Sequence, residues 1–283
     1  MTGGVASGEG PNFYPPEYYN VQNGRFSPLV EALIRFFRCC RSQFIRRYAQ
    51  CSTGRILDIG CGRGVMLADL KKKGWDCYGT EQSDIVGDPL YAYNGIKIKT
   101  ISDIKSCEYS KNFFDCVSLW HVLEHLADPV GTLQEIRRIL KPGGILVIEV
   151  PNFSSWQSRL GLWRWIYLEV PRHLYHFSMR SLIGLLEKNG FQCLRVSTFS
   201  LEFGPFGMIQ SLLNLILTQP NFLFLLMKRE WKSLNRMTLA QWIINLLLLC
   251  IFFFPALLVG FWLELFSVLV KRGGVIRVVA ARS

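Results

Sequence analysis

The 283-residue sequence is poor in charge: only 19% of its residues are Asp, Glu, Lys or Arg, whereas 50% are hydrophobic. This composition excludes a disordered chain, and the lack of a short repeat excludes a fibrous protein. The nine cysteines contain no CxxC pair, which excludes a zinc ribbon and a thioredoxin-like site. The first residues lack a charged segment followed by an apolar core. We therefore expect no signal peptide and a reducing, cytoplasmic compartment.

The charge that is present is unevenly distributed. The formal net charge is +11, and the positive excess lies mainly in the C-terminal half, where basic residues border the most apolar stretches. This pairing is more typical of attraction to an anionic membrane surface than of nucleic-acid binding. We expect a membrane surface as a partner and no nucleic acid.

Short apolar runs alternate with helical patterns through the middle of the chain, which indicates βαβ units around a parallel sheet. The predicted strands are 55–60, 76–81, 96–101, 114–120, 145–151 and 191–200, with a seventh at 273–282. The predicted helices of this region are 65–74, 122–140 and 178–190. We divide the chain into an N-terminal unit (1–53), a core (54–200), an apolar helical insertion (201–272) and the last strand of the core (273–283).

The N-terminal unit combines an arm rich in Gly, Pro, Asn and Tyr with a helix that begins near Pro28. The helix interleaves five arginines with apolar residues. It can pack on the core with a solvated basic side, or it can lie among lipid headgroups as an interfacial helix.

A glycine-rich turn, LDIGCGRG, joins the first predicted strand to the first helix of the core. Such a turn lets a ligand approach the bare backbone where helix amides point outward. Gly60, Gly62 and Gly64, preceded by Asp58, differ in spacing from the GxGxxG dinucleotide fingerprint, and the GK[ST] ending of a Walker A motif is absent. Glu81 ends the second strand about twenty residues beyond the loop, where an acid can accept hydrogen bonds from both hydroxyls of a ribose.

Together with Asp103 after the third strand and KPGG before the fifth, these features resemble the class I S-adenosylmethionine-dependent methyltransferases. FDCVSLWHVLEHLADP and EVPNFSSW…VPRHLYHFS look like the group that contains ubiquinone-biosynthesis O-methyltransferases and the type 11 and type 23 methyltransferase domains. The resemblance implies an α/β, Rossmann-like, seven-stranded sheet with an antiparallel last strand, and S-adenosylmethionine as cofactor. The alternatives are half of a dinucleotide-binding dehydrogenase and a βαβ domain that has lost its cofactor.

The same resemblance implies which residues hold the cofactor. The methionine portion is assigned to Asp58, Gly60, Cys61, Gly62 and Gly64, and the ribose to Glu81 and Gln82. The adenine is assigned to Asp103 and Ile104, and the sulfonium to Leu119 and Trp120.

Methyl transfer from a sulfonium requires the protein to orient the acceptor and to remove its proton. Histidine suits the second task for a hydroxyl acceptor, and the four histidines cluster beside the expected methyl group. His121 and His125 are expected on one face of a helix, and His173 and His176 in the loop after the fifth strand. We predict His173 and His121 for proton transfer, with His125 beside them and Glu124 as an orienting partner. Alternatively, these residues cap and pack a helix and form a structural corner.

Some ubiquinone-pathway relatives carry ExxEH at this place and bind a divalent metal with it. This chain has His121 where the first glutamate would stand. His121, Glu124 and His125 could still ligate a metal, but the sequence departs from the pattern and we predict no metal.

The apolar insertion contains one stretch, 242–270, that is long enough to span a bilayer by the ~20-residue criterion. If the last strand is antiparallel beside its neighbours, the insertion leaves and re-enters at one edge of the core, which excludes a single crossing. The basic linker 228–236 favours a monotopic arrangement, in which 242–270 dips into the membrane and returns near Pro255 while 206–227 lies along the interface. Two spans, or a soluble form whose apolar segments cover the sheet or an oligomer interface, are the alternatives.

We therefore predict a methyltransferase on the cytoplasmic side of a membrane that O-methylates a hydrophobic or lipid-linked acceptor. An aromatic segment after the fifth strand, with Trp156, Trp163 and Trp165, can wall its acceptor pocket, sit at the interface or belong to the core. The competing hypotheses are a non-catalytic membrane scaffold that senses the cofactor and a soluble small-molecule methyltransferase. The sequence gives no indication of the oligomeric state.

Overall fold

A computed structural model describes residues 28–49, 51–81, 95–100 and 103–283. Its sheet has seven strands in the order β3-β2-β1-β4-β5-β7-β6. β1 to β5 run parallel, and β7 is antiparallel to both of its neighbours. The strands are β1 Arg55–Ile59, β2 Asp76–Glu81, β3 Lys97–Thr100, β4 Phe114–Trp120, β5 Leu140–Pro151, β6 Phe191–Ser197 and β7 Val275–Arg282. The predicted fold class is confirmed, while the arm before Pro28 lies outside the described residues.

Helices cover both faces of the sheet. The helices are α1 Pro28–Tyr48, α2 Val65–Lys72, α3 Pro129–Ile139, α4 Trp156–Gly161, α5 Met179–Lys188, α6 Gly204–Ile216, α7 Phe222–Lys228, α8 Trp231–Leu234 and α9 Leu239–Leu269. Leu133 of α3 and Leu182 of α5 are fully buried in one core, and Leu67 of α2 and Ile45 of α1 in the other. This two-sided cover explains why the central strands are apolar on both faces.

The helix predicted over 122–140 is wrong in its first part. Leu123–His125 is a short 3-10 turn, and α3 starts only at Pro129, with the Asp128 side chain accepting a hydrogen bond from the N–H of Gly131. Because proline cannot donate a backbone hydrogen bond but fits the first helical turn, Asp128-Pro129 starts a new helix. His121 and His125 therefore do not share one face of a helix.

The insertion between β6 and β7 forms a helical layer on the core. α6 lies between α4 and α9, since Gly161 of α4 faces Ser211 and Gly260 of α9 faces Ile209. A Cβ at Gly260 would stand 2.9 Å from Cγ1 of Ile209, so glycine allows the two helices to approach closely. The expected single segment 206–227 is split into α6 and α7.

The predicted return of the chain near Pro255 is wrong, because α9 continues through this residue as a single 31-residue helix. A helix of this length extends about 46 Å at 1.5 Å per residue. Proline inside a helix costs a hydrogen bond, but α9 is held on both sides of Pro255. On the N-terminal side of this proline, the amide of Asn245 donates a hydrogen bond to the hydroxyl of Thr218. On the C-terminal side, the carboxylate of Glu264 accepts a hydrogen bond from Gln157 of α4.

Candidate active site

The glycine-rich turn after β1 is held by the end of β2. The N–H groups of Gly60 and Cys61 both donate to the carbonyl of Thr80, at 2.8 and 3.0 Å. Gly60 has φ +69°, and a Cβ there would stand 2.5 Å from Val122. Gly62 also has a positive φ, +52°, but nothing lies within 4 Å of where its Cβ would be. The backbone at Gly62 therefore borders open space.

Two carboxylates flank this open space. Glu81, at the carboxyl end of β2, accepts a hydrogen bond from the N–H of Gly62 at 2.8 Å. Asp58, in β1 just before the turn, is 4% exposed and accepts a hydrogen bond from the Ser118 hydroxyl at 2.6 Å. The predicted cluster of loop glycines with Asp58 and Glu81 is thus brought together.

The side chains of the remaining predicted cofactor residues do not all face the glycine-rich turn. Asp103 caps the 3-10 turn Ile104–Cys107 by accepting from the N–H of Lys105, and the side chain of Ile104 packs in the core. Cys61 turns its thiol toward Gly79 of β2.

Leu119 and Trp120 are the last two residues of β4. Leu119 is fully buried in the core, and Trp120 packs on the opposite face of the sheet, because successive side chains of a strand alternate. Any contact of Leu119 with the cofactor therefore involves its backbone. Gln82 lies outside the described residues.

The sequence analysis missed the contribution of α1 to this region. Arg41 is buried, with its guanidinium 4.7 Å from the centre of the Trp120 ring and a 2.7 Å hydrogen bond to Glu202. Arg38 contacts the same carboxylate at 3.3 Å. Of the two interpretations of α1, this part of the helix follows the first, since it packs on the core.

A buried charge network was also missed. Glu149 of β5 and Arg277 of β7 stand opposite each other in the sheet, and Nε of Arg277 donates to Glu149 at 2.6 Å. The other oxygen of Glu149 lies 3.2 Å from Nε2 of His121. Burial alone raises the pKa of Glu149, but Arg277 and His121 outweigh it and hold the pKa at about 2. The available signal in the sequence was that Glu149 and Arg277 each interrupt an otherwise apolar run of a predicted strand.

His121 itself lies between two carboxylates. Its Nδ1 is 3.4 Å from Glu124, its Nε2 faces Glu149, and its ring centre is 3.9 Å from that of Phe203. Burial lowers the pKa of His121, but the hydrogen bonds and negative charges of Glu124 and Glu149 outweigh burial and raise the pKa to about 9.

The other histidines form a second group. His125 and His173 have ring centres 4.6 Å apart, whereas His176 is 6.2 Å from His173 and bonds to the carbonyl of Leu168. Burial lowers the pKa of His173. The loop after β5 thus brings His173 to the 3-10 turn, beside His125.

A seven-stranded sheet with an antiparallel β7, a glycine turn after β1 and an acid at the end of β2 defines a class I S-adenosylmethionine-dependent methyltransferase. The chain belongs to the family described as "Methyltransferase domain", whose pattern matches residues 33–196. S-adenosylmethionine is its cofactor, and the residues present are compatible with it: open space borders Gly62, the Glu81 carboxylate accepts a hydrogen bond from the N–H of Gly62, and the Asp58 carboxylate is buried beside the turn.

Curated relatives and solved structures agree with this assignment. A ubiquinone biosynthesis O-methyltransferase of Methylococcus capsulatus is 29% identical over 150 residues, which are 49% of this chain and 61% of that protein. The chain spans only 54–61% of the length of the first such relatives. A putative sarcosine dimethylglycine methyltransferase from Galdieria sulphuraria shares the fold, with a TM-score of 0.55 at 17% identity, over 90% of this chain and 88% of that one. Phosphoethanolamine N-methyltransferase 2 of Haemonchus contortus also shares the fold, with a TM-score of 0.51 at 16% identity. The match covers 86% of this chain and 52% of that one.

The environment of Asp58 leads to a pH prediction for cofactor binding. Burial raises the pKa of Asp58 to about 6, although the hydrogen bond from Ser118 and the charges of Arg41 and Arg38 act in the opposite direction, and Glu81 adds to the increase. Because the pKa of Asp58 is raised in the folded protein, the ionised carboxylate lowers the free energy of unfolding above about pH 6. A bound cation offsets this loss. S-adenosylmethionine should therefore bind more weakly as the pH falls through about 6.

Thermal shift with and without S-adenosylmethionine measures this effect. We expect a larger increase in Tm at about pH 7.5 than at about pH 5.5, where Asp58 is mostly protonated. Asp58→Asn should remove the difference between the two conditions. An equal shift of the wild-type chain at both pH values would contradict the prediction.

Proposed function

We propose that the enzyme methylates a hydroxyl group of a hydrophobic or lipid-linked acceptor, and that it does so while α9 rests on the cytoplasmic face of a membrane. The single observation that carries this proposal is the exposed apolar face of α9. S-adenosylmethionine supplies the activated methyl group. The chain's own residues orient the acceptor and exclude water from it.

The polarity of α9 is the reverse of that of a surface helix in water. Its inward face carries buried Asn245, Glu264 and Ser267, whereas Leu239, Phe254 and Leu269 are 76%, 72% and 71% exposed. In its most apolar 18-residue window only 11% of the helix is buried. A water-facing helix normally carries its polar residues outward, and an exposed apolar patch of this length marks an interaction surface.

The apolar surface extends from α9 onto α4 and the turn that follows it. The rings of Trp156 and Phe266 are 5.5 Å apart and join the two helices. Leu160, Leu162 and Trp163 are exposed beside them. We define the membrane face as the exposed residues of α9 together with these three.

Basic residues border both ends of α9. Exposed Arg229, Lys232 and Arg236 precede the helix, and exposed Lys271 and Arg272 follow it. α6 supports the inner side of α9, and Asn245 and Glu264 hold it near its two ends. These features favour a helix that lies in the plane of the interface, with its basic residues among anionic headgroups, over two spans.

A groove opens beside the membrane face, and two of its lining residues, Leu162 and Trp163, belong to that face. It has a volume of about 590 Å³ and is lined mainly by apolar residues, among them Phe153, Leu162, Trp163 and Leu168. Phe153 also contacts His176, with ring centres 5.4 Å apart. Such a groove suits a hydrophobic acceptor that enters from a membrane. The names of the curated relatives, ubiquinone biosynthesis O-methyltransferases, favour oxygen as the atom that is methylated.

Binding to vesicles tests the membrane face. The full chain should co-sediment with vesicles that contain anionic lipids and should resist a high-salt wash, because the apolar contact is insensitive to salt. Phe254→Glu with Leu258→Glu should lower the bound fraction at least about tenfold, since burying two charges at the interface is costly. Leu194→Glu, at an exposed leucine of β6, is the matched control.

If the wild-type chain stays in the supernatant and runs as a dimer that the double variant dissociates, the apolar face is a protein interface and the proposal fails. The acceptor is sought by mass spectrometry of lipids from cells with and without the gene. The product should be one CH₂ heavier than its precursor and absent without the gene.

A further inference from the structure

We infer that Phe203, at the start of the insertion, forms one wall of the acceptor site and selects the acceptor by its shape. This rests on the proposed function in one respect, since it requires an acceptor that binds beside the cofactor. Phe203 is the N-cap residue of α6 and is only partly buried. Its ring therefore contacts the protein and still has surface that a ligand can touch.

Phe203 lies where a Rossmann-like sheet binds its ligands. The crevice of such a sheet opens at the carboxyl ends of the strands, where the strand order reverses, which here is between β1 and β4. His121 directly follows β4, and its ring centre is 3.9 Å from that of Phe203. Val122, the next residue, packs on Gly60 of the glycine-rich turn. Phe203 therefore stands at the β4 side of the crevice that the turn borders.

His121 supports the ring of Phe203. Its two ring nitrogens face the carboxylates of Glu124 and Glu149, at 3.4 and 3.2 Å, and only 15% of its side chain is exposed. Its backbone has φ +56°, a left-handed conformation that residues other than glycine rarely adopt. Such a conformation persists where the surrounding structure fixes it, and it is commonest at functional sites. Because both nitrogens are engaged, the contact surface offered to an acceptor here is the ring of Phe203.

Two further contacts fix the position of Phe203. Its carbonyl accepts a hydrogen bond from the hydroxyl of Tyr167 at 2.8 Å, and the two rings meet edge to face at 6.1 Å. The preceding residue, Glu202, is held by Arg41 and Arg38 of α1, at 2.7 and 3.3 Å. A wall that is already ordered loses little conformational freedom when a ligand binds.

The helix of the membrane face contacts the same short segment. Gln157 of α4 donates to the carbonyl of Gly204 at 2.7 Å and to the carboxylate of Glu264 of α9 at 2.8 Å. A Cβ at Gly204 would stand 2.7 Å from Oε1 of Glu264, so α9 packs closely on the residue that follows Phe203. The insertion therefore supplies both the membrane face and, at its start, the wall of the acceptor site.

The surroundings of Phe203 define what this wall can select. Together with Leu168 and Phe206, Phe203 packs on an apolar cluster formed by Trp165, Ile166 and Tyr167. An apolar wall discriminates by the size and shape of the apolar part of a ligand, and one methylene changes kcat/KM by about 10- to 200-fold. Truncation of Phe203 should therefore weaken acceptor binding without changing the affinity for S-adenosylmethionine.

The experiment measures the transfer of a labelled methyl group from S-adenosylmethionine to an extract of cells that lack the gene. The extract is then separated into organic and aqueous phases, and the full wild-type chain should label the organic phase. Phe203→Ala should lower the rate at limiting extract by at least about tenfold, mainly through a higher apparent KM for the extract. Calorimetry should give the wild-type affinity for S-adenosylmethionine.

Two variants serve as comparisons. Phe206→Ala removes another partly buried phenylalanine, from α6 itself, and should transfer methyl groups as the wild type does. Phe203→Leu retains an apolar side chain and should recover most of the rate. If circular dichroism shows that Phe203→Ala is unfolded, Phe203→Trp decides instead, because its larger ring should also raise the apparent KM.

The inference is overturned if Phe203→Ala transfers methyl groups as the wild type does, or if Phe206→Ala slows transfer equally. It is also overturned if Phe203→Ala weakens cofactor binding as much as it slows transfer. Label that enters the aqueous phase and decreases in Phe203→Ala supports the wall, but it contradicts the hydrophobic acceptor of the proposed function. A wild-type chain that labels neither phase contradicts both.

Discussion

Replacement of Arg277 by methionine is expected to lower the free energy of unfolding by about 3–5 kcal/mol, the usual effect of removing one partner of a buried ion pair. Glu149 is fully buried, and Arg277 donates to it from the neighbouring strand. Without the guanidinium, the charge of the carboxylate is compensated by the ring of His121 at 3.2 Å and by the charge of Arg41. Urea unfolding, followed by far-UV circular dichroism, measures the change.

A second substitution separates the charge from the packing of Arg277. The guanidinium also stacks on the rings of Phe44 and Trp120, at 4.8 and 5.3 Å, and methionine retains part of this apolar contact. Glu149→Gln combined with Arg277→Met should recover more than half of the lost stability, because it removes the uncompensated charge. Arg195→Met, on exposed β6, should cost less than about 1 kcal/mol. If Arg195→Met is as destabilising as Arg277→Met, the ion pair is not the cause.

Replacement of Glu81 by alanine should weaken S-adenosylmethionine binding by about 100-fold, because hydrogen bonds to a charged group contribute about 1.5–3 kcal/mol each. Glu81 stands at the end of β2 and faces Gly62, where the loop borders open space. A carboxylate at this place can accept from both hydroxyls of a ribose. Isothermal titration calorimetry measures the affinity.

The control for this experiment is Glu187→Ala, at an exposed position of α5. Both variants should keep the Tm of the wild type in the absence of cofactor to within a few degrees, since neither removes a buried apolar group. Unchanged affinity in Glu81→Ala would show that this carboxylate does not hold the ribose, and the assignment of the cofactor site would then have to move elsewhere along the sheet.

The core of the fold could be predicted from the sequence, because its signals are local and agree with one another. Alternating strands and helices, the glycine turn and the acid after β2 all specify the same sheet. The 3-10 turn before α3 was missed because the spacing of His121 and His125 suits a helix. Asp128-Pro129 was the contrary signal, since it starts a new helix further along the chain.

The active-site contacts that were missed are contacts between distant parts of the chain. Glu149 and Arg277 are 128 residues apart, and Arg41 and Glu202 are 161 apart. The strand order brings the first pair together, and the packing of α1 on the core brings the second together. A single sequence contains neither kind of information. The course of α9 was mispredicted for a similar reason. Pro255 indicated a turn, but Asn245 and Glu264 bind distant segments and keep the helix continuous.

The position of β7 has a consequence for how the protein is made. β7 fills the gap between β5 and β6, yet it follows α9 in the chain. A ribosome therefore releases the most apolar helix of the protein before the strand that completes the sheet. Until β7 emerges, the described part of β6 has no strand to pair with, and β5 has an open edge. An open strand edge beside an apolar helix is prone to aggregate, so the nascent chain should need a chaperone or a lipid surface at this stage of its synthesis.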